Sequence, residues 1–235
     1  MKKNFKPISV VMLGASGAVG QQVLSTILQL SQVKKITLLG RRTIENLTDQ
    51  RIVQHKIDIF NPDSYLEFLP NHEVAICTLG VGQPSKISRD QFLKIDKIAV
   101  EDFAKSCKRS GVLHFELLSS VGIDSSSSNF FLRTKGELVD ELKAQNFERL
   151  SIFQPSMILT PTNRYGFSQA VTLAIWPWLS KLFFGSLKKY RGIKVEKLGE
   201  SMAKNIFNNH PEKSNVELLT WNDFNHINKQ PLFKT

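Results

Sequence analysis

Cysteine is nearly absent from this sequence. Only Cys77 and Cys107 occur in 235 residues, too few for a disulfide framework or a cysteine-rich metal centre. Both fall in apolar-periodic segments and read as reduced, packed thiols of a cytosolic protein. The five histidines show no ligand spacing such as H-x-x-x-H, so no metal is expected. Long hydrophobic runs are missing as well. AVTLAIWPWL contains Pro177 and is followed by Lys181, well short of the roughly 20 apolar residues that span a bilayer. The opening MKKNFKPISVVMLGASGA has the outline of a secretory signal. Its apolar run, Ile8–Leu13, is short and flows into a glycine loop, and no stable membrane insertion is expected. There are no repeats, and the one low-complexity spot is SSSS at 125–128.

Cations exceed anions, 31 Lys and Arg against 21 Asp and Glu, for a formal net charge of +10. Such an excess suits an anionic partner: nucleic acid, an acidic membrane surface or a polyphosphate cofactor. The cations are scattered in ones and twos, without a groove-reading helix or an RNA-stacking motif. They read as surface and cofactor-site charge, with a small molecule and not nucleic acid as the partner. Hydrophobic residues make up 41%, enough for a sizeable core.

Strand-like and helical segments alternate through the first two-thirds. Strands are expected at Ile8–Leu13, Ile36–Gly40, Ile52–Phe60, Glu73–Leu79, Val112–Leu118 and Leu150–Phe153. Helical spacing fits Ala18–Ser31, Asn61–Leu69, Phe130–Gln145 and Ser88–Arg109, the last with Phe92, Ile95, Phe103 and Cys107 on one side. This alternation predicts an α/β fold, a doubly wound parallel sheet with helices on both faces. After Gln154 the texture changes. Pro155, Pro161, Asn163 and Gly166 mark a long loop, followed by an aromatic-rich helix around Ser168–Leu187. A helix at Leu198–Asn209 and a strand at Val216–Trp221 complete the chain. Residues 1–155 are thus expected to form the cofactor-binding core, and 156–235 a small C-terminal portion packed on the same domain.

VVMLGASGAVGQQVL places Gly14, Gly17 and Gly20 directly between the first strand and the first helix. Glycines there permit a tight turn, let backbone approach a pyrophosphate, and allow close helix–strand packing. With Ser16, Ala18 and Val19 they form a phosphate-binding loop at a helix N-terminus. The second strand ends LLGRR, where the adenosine ribose of a dinucleotide would lie. An NAD site favours a carboxylate there, and an NADP site offers arginine to the 2′-phosphate. Arg41 and Arg42 therefore point to NADP(H). Asp58, with Ile59 beside it, could meet the adenine, or Asp58 could cap the helix starting near Asn61. Both readings stay open.

These segments together resemble the atypical, NAD(P)H-binding branch of the short-chain dehydrogenase/reductase superfamily, in the group like the Tat-interactive oxidoreductase. The resemblance is carried by GASGAVG (14–20), ITLLGRR (36–42), CTLG (77–80), HFELLSSVG (114–122), SSNFFLRTKGEL (127–138), FQPSMIL (153–159) and FFGSLKKYRGIKV (183–195). It spans nearly the whole chain and implies a Rossmann-type sheet with NADP(H) across the strand ends. Thr78, Leu79 and Gly80 would pass beside a cofactor ribose. Ser119 and Ser120 would supply the substrate-facing hydroxyl, Ser120 being favoured. Lys135 would hydrogen-bond the nicotinamide ribose, and Pro155 and Ser156 would line the nicotinamide. GASGAVG also opens semialdehyde dehydrogenases, which use a nucleophilic cysteine on a larger second domain; about 80 residues after the core leave little room for one.

One departure from the family pattern stands out. The superfamily carries Tyr-x-x-x-Lys on the helix after the fifth strand, one turn apart and on one face. Four residues before Lys135 lies Phe131, which has no proton to give. Two readings of function follow. The chain is an oxidoreductase or sugar-epimerase-like enzyme with weak activity, or with Tyr165 replacing the phenol. Alternatively it is a non-catalytic NADPH-binding regulatory module. The loop Thr160–Gln169 and the aromatics Trp176, Trp178, Phe183 and Phe184 would cover the cofactor. An interfacial membrane helix using Lys188, Lys189 and Arg191 fits less well, given the central proline. The substrate is open, and so is a homodimer.

Overall fold

The computed structural model describes residues 7–161, 183–208 and 214–231. Seven strands form one parallel sheet: β1 (Ile8–Leu13), β2 (Val33–Gly40), β3 (Ile52–Lys56), β4 (Val74–Cys77), β5 (His114–Leu118), β6 (Arg149–Phe153) and, after a short parallel pair β7 (Ile158–Leu159) and β8 (Ile193–Lys194), β9 (Val216–Leu219). Their order is β3-β2-β1-β4-β5-β6-β9. The helices are α1 (Ala18–Ile27), α2 (Arg89–Leu93), α3 (Ala99–Arg109), α4 (Phe130–Ala144), α5 (Val195–Asn205) and α6 (Trp221–Lys229).

Alternation along β1 divides the core. Val10 and Met12 face α1, α5 and α6 in one apolar layer, joined by Val23, Ile27, Leu198, Met202 and Phe224. Val11 and Leu13 face α3 and α4 in the other, with Phe103, Cys107, Leu138 and Leu142. A central strand buried on both faces must be apolar throughout, and β1 reads ISVVML. Under α5 the sheet carries a buried polar cluster. Arg149 donates through Nε to Glu217 (2.8 Å) and caps the end of α5 at the Asn205 carbonyl (3.0 Å). Asn205 Nδ2 donates to Glu116 Oε1 (3.0 Å), and Ser151 Oγ pairs with His114 Nε2 (2.7 Å).

Several elements differ from the sequence-based expectation. The segment read as one helix over 88–109 is broken by a π-turn at Lys94–Ile98. Within this turn Ile95 is half-buried and Asp96 is buried. Asn61–Leu69 is two 3₁₀ turns, Pro62–Ser64 and Leu66–Phe68, not a helix. β3 stops at Lys56, so Asp58 lies in the following loop. The expected strand Val216–Trp221 ends at Leu219, because Thr220 and Asp223 form a reciprocal capping box that starts α6. Gly185–Tyr190 is a 3₁₀ turn. Residues 168–182 of the expected aromatic helix, with Trp176 and Trp178, and Tyr165 in the loop before it, lie outside the described residues.

Candidate functional site

Because every sheet neighbour is parallel, the carboxyl ends of all strands share one edge. That edge carries Gly14 after β1, Arg41 and Arg42 after β2, Thr78–Gly80 after β4, Ser119–Ser120 after β5, and Pro155–Ser156 after β6. The order in which successive strands are added across the sheet reverses between β1 and β4, the switch point where open α/β sheets form a ligand crevice.

The glycine loop is tied into this crevice by backbone geometry. Gly14 has φ +93°, and a Cβ there would stand 2.6 Å from the Leu79 nitrogen. A side chain at Gly20 would run into the Gly14 carbonyl. Thr78 donates its hydroxyl to that same carbonyl at 3.0 Å, clamping the loops after β1 and β4 together. Helix α1 starts at Ala18 with Gly17 as N-cap and no side-chain cap, leaving its first N–H groups facing the loop. Ser16 and Gly17 are exposed; Val19 and Gly20 are buried.

Beside the loop lies a groove lined by Gly14, Ser16, Arg41, Arg42, Gln54 and His55, with Ile44, Ile59 and Leu79 as its apolar walls. No carboxylate lines it among the described residues. Arg41 and Arg42 are both exposed. Gln54 fixes the far wall by exchanging two hydrogen bonds with the Ile44 backbone, 2.8 and 2.9 Å. Asp58 is not the cap considered for the next segment. Asn61 itself caps Pro62–Ser64 by accepting from Asp63 N, while Asp58 Oδ1 accepts from Phe60 N at 2.9 Å.

At the other end, Ser119 is buried, and its Oγ has no hydrogen-bond partner among the described residues. Ser120 is half-buried and donates weakly to the Val121 carbonyl at 3.4 Å. The loops after β5 and β6 are joined by Val121 N donating to the Pro155 carbonyl (3.0 Å). Helix α4 begins at Asn129, whose Oδ1 accepts from Phe131 N and Leu132 N (3.0 and 3.2 Å). That cap sets the register of Phe131 and Lys135. Phe131 packs edge-on against Phe92 with ring centroids 4.9 Å apart.

Lys135 Nζ donates to Asp96 Oδ1 at 2.8 Å. The Asp96 side chain is 1% exposed, and its Oδ2 accepts from Val81 N at 2.8 Å. Asp96 escapes sequence reading because a carboxylate in a helical segment reads as solvated, although at i+4 from Phe92 it shares that residue's face. The available signal was an acid at the i+4 position after Phe92 on an otherwise apolar stripe. Both cysteines are wholly buried, and burial pushes the Cys77 thiol up to about 12 and that of Cys107 well above its ordinary value. Neither suits a nucleophile. Among the described residues no group of acids, histidines and cysteines could hold a metal, and no helix is long and apolar enough to cross a membrane.

The comparisons with known proteins agree with this geometry. A family model described as NAD(P)H-binding matches residues 14–151. Protein HTATIP2 of Rattus norvegicus is 33% identical over 227 residues, covering 94% of this chain and 89% of that protein. The mitochondrial protein FMP52 of Candida albicans is 26% identical over 86% of this chain and 90% of its own length. A UDP-N-acetylglucosamine 4-epimerase from Methanobrevibacter ruminantium superposes with TM-score 0.66 at 14% identity, covering 92% of this chain and 77% of that one, and shares the fold. With a nucleotide-type crevice at the switch point of a seven-stranded parallel sheet, the chain belongs to the NAD(P)H-binding family and has a short-chain dehydrogenase/reductase-like Rossmann fold.

Proposed function

We propose that the protein is an NADP(H)-preferring oxidoreductase or epimerase-like enzyme, with turnover held low by phenylalanine at position 131. The observation that carries the cofactor choice is the groove beside Gly14. Two arginines and a histidine line it, and no carboxylate among the described residues does. A ribose 2′-phosphate is matched by guanidinium groups, whereas a free 2′-hydroxyl lacks its usual acidic acceptor. The pyrophosphate lies on the N-terminus of α1, the nicotinamide ribose on Lys135, and the nicotinamide beside Pro155 and Ser156. Ser120 is the half-buried hydroxyl offered to substrate. The cationic excess is surface and cofactor-site charge, and the partner is a small molecule.

Calorimetric titration tests the reading. NADPH is expected to bind well ahead of NADH. Replacing both Arg41 and Arg42 by Ala should cost about ten- to a hundredfold in NADPH affinity, the scale of one charged hydrogen bond lost, and leave NADH nearly unchanged. Equal affinity of the wild-type protein for both cofactors would reject the assignment.

A further inference from the structure

We propose that Asp96 is a positioning residue of the nicotinamide end, holding the Lys135 ammonium and the loop after β4 in one geometry. This rests on the reading above that Lys135 contacts the nicotinamide ribose. A carboxylate removed from water is costly unless its oxygens are paired, and here each oxygen has a separate partner. Oδ1 accepts from Lys135 Nζ and Oδ2 from Val81 N, both at 2.8 Å. One side chain thus couples helix α4 to the backbone that follows Gly80. A Cβ on Gly80 would stand 3.1 Å from Asp96 Oδ1, so that loop passes directly over the carboxylate.

Lysine carries three ammonium donors. Asp96 occupies one and leaves two for a pair of ribose hydroxyls. The side chain is otherwise a flexible stem with considerable rotamer entropy, and a phenol one turn away would normally help to orient it. Position 131 provides only a ring, turned edge-on to Phe92. Asp96 supplies an orienting contact to the ammonium in its place. Asp96 lies within the π-turn at Lys94–Ile98, and a second ion pair, Lys97 to Glu137 at 2.6 Å, ties the same turn to α4.

The test separates this role from a purely structural ion pair. NADPH and adenosine 2′,5′-bisphosphate, which lacks the nicotinamide half, are titrated into wild type, Asp96→Asn, Lys135→Met and the double variant. Asp96→Asn is expected to weaken NADPH about tenfold, within the coupling typical of one hydrogen-bond network, and to leave the bisphosphate unchanged. The same substitution should add nothing once Lys135 is Met. Equal weakening of both ligands, or full additivity in the double variant, overturns the proposal. If Asp96→Asn does not fold, Asp96→Glu keeps the charge but displaces it, and the same selective loss is required of it. A failure of the underlying reading looks different: Lys135→Met alone would leave NADPH affinity unchanged.

Discussion

The sharpest question at the scale of single residues is the phenyl ring of Phe131. A general acid contributes about 10²–10⁴-fold to proton-coupled steps, and phenylalanine contributes none of it. Lys135 lies one helical turn away, and Asn129 fixes the register of both through its two capping hydrogen bonds. Phe131 is half-buried, so a hydroxyl added there need not displace core. Phe131→Tyr is expected to raise carbonyl-reductase turnover over a broad substrate panel by on the order of a hundredfold while leaving NADPH affinity unchanged. Wild-type turnover that is already robust, and that survives Tyr165→Phe, would refute the missing-acid argument.

Among the elements, α4 is the one on which the proposed site depends most. Asn129 satisfies two of its orphan N–H groups, and losing such a cap typically costs about 1 kcal/mol. Asn129→Ala should therefore lower stability by about that amount in urea denaturation, and weaken NADPH as the first turn frays. Unchanged stability would mean that the cap is supplied elsewhere. Local signals explain which elements could be read from sequence. The β1–α1 turn is legible because Gly14 and Gly20 are demanded by contacts within the turn itself and with Thr78. The inward position of Asp96 is not, because an acid reads as solvated until its distant partners, Lys135 and the Val81 N–H, are seen. Helix α6 left a trace in Thr220 and Asp223, three apart. The apolar run VELLTW reads more strongly as strand, and tertiary packing of Phe224 and Ile227 under the sheet decides the matter. The candidate site follows the same division. Its glycine loop and arginines were visible as motifs, while the carboxylate that pairs with Lys135 comes from a segment with no motif.

For the whole molecule, the polar cluster under α5 sets a pH dependence. Burial pushes the Glu116 carboxyl up to about 8 from an ordinary 4.5, opposed by the nearby Arg149 and the Asn205 hydrogen bond and reinforced by Glu217. His114 Nε2 also faces it, 3.6 Å from Oε1. The native state therefore keeps a proton that the unfolded chain releases. Folding stability from this group is greatest at or below the unfolded value and declines as pH rises toward about 8. Glu116→Gln keeps an acceptor for Asn205 and carries no charge. It should flatten the decline between about pH 5 and pH 8 and stabilise the protein near pH 8 by on the order of 3 kcal/mol. Parallel stability–pH curves for the two proteins would show that Glu116 is not protonated in the native state.

The position of β9 also bears on how the protein is made. Among the described residues this strand lies at the sheet's edge beside β6, yet the long segment from Gln154 to Asn215 separates the two in sequence. A growing polypeptide can pair β1 through β6 before β9 has left the ribosome. During that interval the β6 edge is open, and the surface later covered by Leu219, Phe224 and Ile227 is bare. Unpaired strand edges and exposed apolar faces are what make partly folded chains stick to one another. Synthesis therefore passes through a stage in which the crevice has its loops but the sheet behind it is unsealed, and only the emergence of β9 and α6 closes it.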